Sequence, residues 1–181
     1  MRTTPHDRIF TSTGRRVRLV CPDPAAISIV DIAAGLAKAC RYNGQCAAFY
    51  SVAQHSILVS MSVPPRLALE GLLHDAAEAY LGDCVQPLKR YLAMYQCIET
   101  MWEDVLAGRF SLNTSDTARA IVKRADRSVL LAERRDLLHP EAMTEAWFED
   151  AQAKPLGLKI HPLDWREAEL AFLERWAALA R

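Results

Sequence analysis

The spacing of apolar and polar positions changes period once along the chain. Residues 8 to 20, RIFTSTGRRVRLV, alternate loosely about Ser12-Thr13-Gly14, which predicts a short β-hairpin. Beyond Pro22 and Pro24 the period becomes helical. Ser28 followed by Asp31 reads as an N-cap with an acidic first turn, opening a helix that runs to about Cys40 through Ile32, Leu36 and Ala39. Tyr42-Asn43-Gly44 breaks it. Ser51 caps the next helix, SVAQHSILVSMS, which stops before Pro64-Pro65, and Pro65 suits the first turn of a third helix reaching Gly82. A fourth covers roughly residues 88 to 107, with Leu88, Tyr91, Leu92, Tyr95, Ile98, Trp102 and Val105 on its inner side. A fifth spans 115 to 136, and Asp164 with Glu167 resembles a capping box for a last helix over 165 to 180. The pattern predicts an all-α bundle with a short N-terminal β-hairpin.

The third helix contains an anomaly, LLHDAAEAYLGD at residues 72 to 83, which carries His74, Asp75, Glu78 and Asp83 and no base. At about 100° per residue, with His74 at zero, Glu78 falls near ~40°, Gly71 near ~60° and Asp75 near ~100°, while the apolar residues fill the opposite arc. One narrow side therefore bears a histidine and two acids around a glycine that leaves clearance for something to approach. A solvated polar face would look the same, so the reading depends on the other helices.

His55 shares a stripe with Val52 and Val59 and so points inward; alone, it reads as a satisfied core histidine. Asp126 is bracketed by Val122, Val129 and Leu130 on the apolar side of its helix. An ionised carboxylate there needs a cation, either Arg119, Lys123 or Arg127 nearby or a metal, because desolvating it unpaired costs several kcal/mol. Taken together, His55, His74, Asp75 and Asp126 from three helices form a donor set that first-row metals accept in octahedral geometry, with two positions open for water or substrate.

Composition narrows the partners. The 181 residues suit one domain, and Lys+Arg and Asp+Glu balance at 22 each, so no global field draws the chain to nucleic acid or an anionic membrane. No apolar run approaches the ~18 residues of a transmembrane span, and MRTTPHDRIF lacks a signal-peptide core, which predicts a soluble cytoplasmic protein. The five cysteines include no C-x-x-C pair and read as reduced, packed thiols.

The ordered set of a lone His55, the pair His74-Asp75 and a distant Asp126 resembles the HD-domain metal-dependent phosphohydrolases. Arg41 with Tyr42, the run HDAAEAYLGD, VQPLKR through Pro87 and Lys89, and KRAD at 123 to 126 are similar to motifs of small bacterial HD 5′-deoxynucleotidases. CRYNG and FYSVAQHS resemble related small prophage HD proteins, some of whose relatives are phage dATP triphosphohydrolases. The match covers about residues 28 to 136 and implies an HD-domain helical bundle as a single domain over 1 to 181. No histidine lies between Asp75 and Asp126, so the extra ligands of two-metal HD enzymes are missing and one divalent ion (Co, Mn, Zn, Ni or Fe) is implied.

Under this resemblance the substrate is a deoxynucleoside 5′-phosphate. A monophosphate stands slightly ahead of a triphosphate, for which Arg15, Arg16, Lys38 and Arg90 are available bases. Arg41 would grip the phosphate bidentately and Lys89 and Lys123 as point charges, though both lysines also fit as solvated surface charges. Glu78 would accept a proton from the attacking water and Asp83 would protonate the leaving oxygen, unless Asp83 is only a turn residue. Tyr42 would pack on the sugar or simply in the core. The family implies a homo-oligomer, dimer or larger. His6, His139 and His161 fall outside the motifs and take no role. The competing class is a metal-stapled helical module without catalysis.

Overall fold

The computed structural model describes residues 7–144 and 153–180; His6 lies outside them. Strands β1 (Arg8–Phe10) and β2 (Arg16–Arg18) pair antiparallel with Ile9 opposite Val17, as the alternation predicts. Helices α1 (Ile29–Lys38), α2 (Val52–Ser62), α3 (Ala68–Leu73), α4 (Glu78–Leu81), α5 (Gln86–Lys89), α6 (Ala93–Phe110), α7 (Asp116–Leu137) and α8 (Trp165–Leu179) make up the rest, joined by single 3-10 turns. None of the helices described is long and apolar enough to cross a membrane. All five cysteines are free thiols.

Helix α2 runs through the middle. Residues Val52 to Ser56, Val59 and Ser60 are all buried on it, so its N-terminal part is covered on every side, while Met61 and Ser62 at its end are exposed. Val52 and Ala53 join Ile32, Leu36, Leu72, Trp102 and Phe172 in the main core, whereas Val59 joins Leu67, Val122 and Val129 in a second. Ser51 caps its start, accepting from the Gln54 N–H. Helix α3 crosses it closely at Gly71, where a Cβ would fall 2.9 Å from Ser60 Cα. The glycine expected to leave clearance for a ligand is therefore filled by the backbone of α2. Its role is helix contact.

Two predicted helices are each broken in two. Between α3 and α4, residues 74 to 77 keep right-handed dihedrals at His74 and Ala77. Their amides, however, bond three residues back: Ala76 N–H to Leu73, Glu78 to Asp75, Ala79 to Ala76. This tightening shifts every side chain beyond His74 from its α-helical azimuth. Between α5 and α6 the chain turns at Arg90–Leu92, leaving Leu88, Tyr91 and Leu92 exposed rather than inward, while Trp102 remains fully buried.

The hairpin is held by Asp31, which is buried in the first turn of α1. Its carboxylate accepts from the Ser12 hydroxyl and from the Thr13 N–H and hydroxyl. Ser28 occupies the N-cap without a side-chain bond, so the acid expected as a dipole partner is used to anchor the turn instead. At the other end of the chain the predicted Asp164–Glu167 capping box is formed. The stretch leading into α8 is strapped to α2 by Gln54, whose amide donates to the His161 carbonyl at 2.7 Å and accepts from the Leu163 N–H at 2.9 Å.

Candidate metal centre

Helix α2 delivers His55 with no solvent exposure, and the tightened segment after α3 delivers His74 and Asp75. Each imidazole has its Nδ1 engaged. His55 Nδ1 donates to Glu133 Oε1 at 2.6 Å, and His74 Nδ1 donates to the Gly71 carbonyl at 2.9 Å. Both partners are acceptor-only, which fixes the proton on Nδ1 and turns the Nε2 lone pairs inward. The two Nε2 atoms lie 3.3 Å apart, with Asp75 Oδ2 3.6 Å from one and 3.2 Å from the other. Donor atoms of His55, His74 and Asp75 all fall within 4.8 Å of one another, a spacing that fits one metal ion.

Asp126, from α7, the fourth expected ligand, lies outside this group of three but borders it on the His55 side, with Oδ1 3.3 Å from His55 Nε2. Its other oxygen pairs with Lys123 Nζ at 2.7 Å. Of the sequence alternatives for this carboxylate, the ion pair with Lys123 is formed, while the second oxygen faces His55. Burial opposes the charge of Asp75 and Asp126, but the facing imidazoles hold both well below the usual carboxylate range. Burial and Arg41 likewise oppose the imidazolium of His55. Glu133 and Asp126 outweigh them and raise it to about 9, so the cluster favours a positive charge at its middle, and an ion bound at His55 Nε2 would take the place of a proton there.

Apart from Lys123, which lines the cleft beside Asp126, the remaining predicted residues lie on the Arg41 side. Glu78 is buried, its Oε2 has no hydrogen-bond partner, and burial followed by Asp75 and Asp83 raises its carboxyl well above the ordinary value. Asp83 follows Gly82, whose φ of 82° turns the chain out of α4. Burial raises Asp83 as well, against the pull of Arg41. Arg41 brings Nη1 to 3.7 Å from Asp75 Oδ2. Lys89 is paired with Glu99 at 2.6 Å and Lys123 with Asp126, so neither lysine stands as an uncommitted charge. Tyr42, expected to pack on a sugar or in the core, donates its hydroxyl to Glu133 Oε2 at 2.5 Å.

Glu133 escaped the sequence reading. It is fully buried and contacts His55, Tyr42 and Arg41, whose Nε lies 3.3 Å from Oε2 as an ion pair rather than an aligned hydrogen bond. Burial works against its charge, yet Arg41 and His55 outweigh it and hold the carboxyl at about 2. Its signal was present: Val122, Asp126, Val129 and Glu133 recur at i, i+4, i+7 and i+11 on one face of α7.

An open cleft of about 510 Å³ reaches the centre from the opposite side, lined by His74, Asp75 and Asp126 with Leu73, Leu106 and Arg119 among its walls. Arg15, Arg16, Lys38 and Arg90, named as bases for a longer phosphate chain, do not line it. Arg15 instead donates to the Ala25 carbonyl and Lys38 pairs with Glu169.

No family model matches the chain. Over 111 residues it is 44% identical to the uncharacterized protein YfdR of Escherichia coli (strain K12), a match covering 61% of each chain. Over 86 residues it is 45% identical to an uncharacterized protein of Rhodobacter capsulatus, covering 42% of this chain and 44% of that one. The chain thus spans less than two thirds of the length of either relative.

Proposed function

We propose that the protein is a single-metal phosphohydrolase of the HD type acting on deoxynucleoside 5′-phosphates, monophosphates ahead of triphosphates. The observation that carries this reading is the convergence of two Nε2 lone pairs with the carboxylates of Asp75 and Asp126 at the edge of an open cleft. A divalent ion held by His55, His74, Asp75 and Asp126 would supply Lewis acidity toward a phosphoryl oxygen and toward water.

The chain's own groups divide the remaining work. Glu78, buried with an uncommitted oxygen, takes the proton of the attacking water, and the environment that raises its carboxyl favours that uptake. Asp83, also raised by burial, holds a proton more readily than an ordinary aspartate and is suited to donate to the leaving oxygen. Arg41 points Nη1 at the centre and meets the phosphate there. Lys123, with a side chain 63% exposed, is free to swing from Asp126 to an incoming anion, and Lys89 would have to exchange Glu99 for substrate.

The test is to strip the protein of metal, restore Mn, Co, Ni, Zn or Fe one at a time, and offer dNMPs, NMPs and dNTPs, identifying products by mass spectrometry. Release of inorganic phosphate from dNMPs is the expected result, and release of triphosphate from dNTPs would reverse the substrate order. E78Q should bind metal as the wild type does and lose at least about 100-fold in turnover. Metal uptake without hydrolysis of any substrate by the wild type would leave an ion that only staples helices.

A further inference from the structure

The arm at 41–44 has an unusual backbone. Tyr42 and Asn43 are consecutive non-glycine residues in the left-handed region, at φ 59° and 51°. Such residues persist only where their surroundings impose them. The base of the arm is pinned by the bridge between Cys40 and Ser51 and by the Arg41 N–H to the Tyr50 carbonyl. Those bonds place the arm beside the start of α2 but do not explain why Tyr42 turns inward. Its hydroxyl bond to Glu133 does.

We propose that Glu133 is a positioning residue linking the metal centre to the substrate arm, with Oε1 orienting His55 and Oε2 holding Tyr42 and drawing the Arg41 guanidinium away from Asp75. This rests on the metal-centre reading above and adds to it a coupling between ligand and arm. Arg41 lies between two carboxylates, with Nε 3.3 Å from Glu133 and Nη1 3.7 Å from Asp75. A guanidinium that lost Glu133 would be left to the acids on the other side, Asp75 at 3.7 Å first among them, and would compete with the ion for that oxygen. The buried carboxylate therefore orients one ligand and keeps a second available. Because both oxygens belong to one rigid group, displacing the arm disturbs His55, and turning His55 disturbs the arm.

The test uses Co²⁺ titration followed by visible absorption, together with amide hydrogen exchange of residues 41–45, on the wild type, E133Q, Y42F and E133Q/R41Q. E133Q is expected to lose 10- to 100-fold in Co²⁺ affinity, the usual consequence of removing a partner behind a ligating histidine, and to exchange faster at 41–45. Adding R41Q should recover about tenfold of the lost affinity. Y42F should speed exchange at 41–45 and weaken Co²⁺ binding by a smaller factor than E133Q, since it frees only the Oε2 side of the shared carboxylate.

A role in packing alone would lower the melting temperature of E133Q and leave the Co²⁺ affinity of the folded protein unchanged. That result overturns the proposal, as does an affinity loss that R41Q does not relieve. If E133Q does not fold, unchanged exchange in Y42F overturns it. A wild type that takes up no Co²⁺ would defeat the metal reading instead, and the exchange measurements would still decide whether Glu133 holds the arm.

Discussion

Lys123 and the imidazole of His55 hold the two oxygens of Asp126, and the two contacts differ in kind. Lys123 is mostly exposed, so its ion pair contributes about 0–1 kcal/mol and yields readily to solvent. The contact with His55 lies where the imidazole has no exposure. In thermal melts with and without Mn²⁺ or Co²⁺, K123M should therefore keep the metal-induced rise in Tm and D126N should lose it. At about 100 Kd of free metal that rise corresponds to about 2.7 kcal/mol. Equal behaviour of the two variants would remove Asp126 from the centre. The residue-level reading found inward-facing side chains where an ionisable group broke an apolar pattern, as at His55 and Asp126. It missed Glu133 because α7 is rich in charge, which hid one more acid, and because its partner Arg41 lies 92 positions earlier, beyond the reach of any local pattern.

At the scale of elements, Gly71 determines how closely α3 approaches α2. A Cβ there would meet Ser60 Cα at 2.9 Å, Ser60 N at 3.1 Å and the Val59 carbonyl at 3.2 Å. All three are backbone atoms, which cannot rotate away. G71A should cost about 1–3 kcal/mol in denaturant unfolding. Because the shifted α3 carries His74 away from His55, it should also diminish the metal-induced Tm rise; destabilisation with that rise intact would separate helix contact from site geometry. Helix positions were legible in the sequence because caps and prolines mark them, as at Ser51, Pro65 and Asp164. The breaks at 74–77 and 90–92 were not, since a change from four-residue to three-residue hydrogen bonding leaves no mark in composition. The wheel drawn through His74 therefore placed His74 and Asp75 on one side of the helix and misjudged the residues after them.

For the whole molecule, the residues of the candidate centre come from α2, the segment after α3, and α7, so their geometry reports on the bundle as a unit. The strap at Gln54 extends that dependence to a region without motif residues. Gln54 adjoins His55, is buried, and spends its whole side chain on the backbone at His161 and Leu163. A fragment ending at residue 144 would leave that amide unpaired in the interior and uncover the cores into which Ile160, Ala168 and Phe172 insert. It should bind a hydrophobic dye and show no metal-induced Tm rise, although it retains every residue named in the chemistry. The smallest autonomous unit is therefore longer than the stretch its motifs mark out, and domain borders drawn by motif alone would cut through the support of the first ligand.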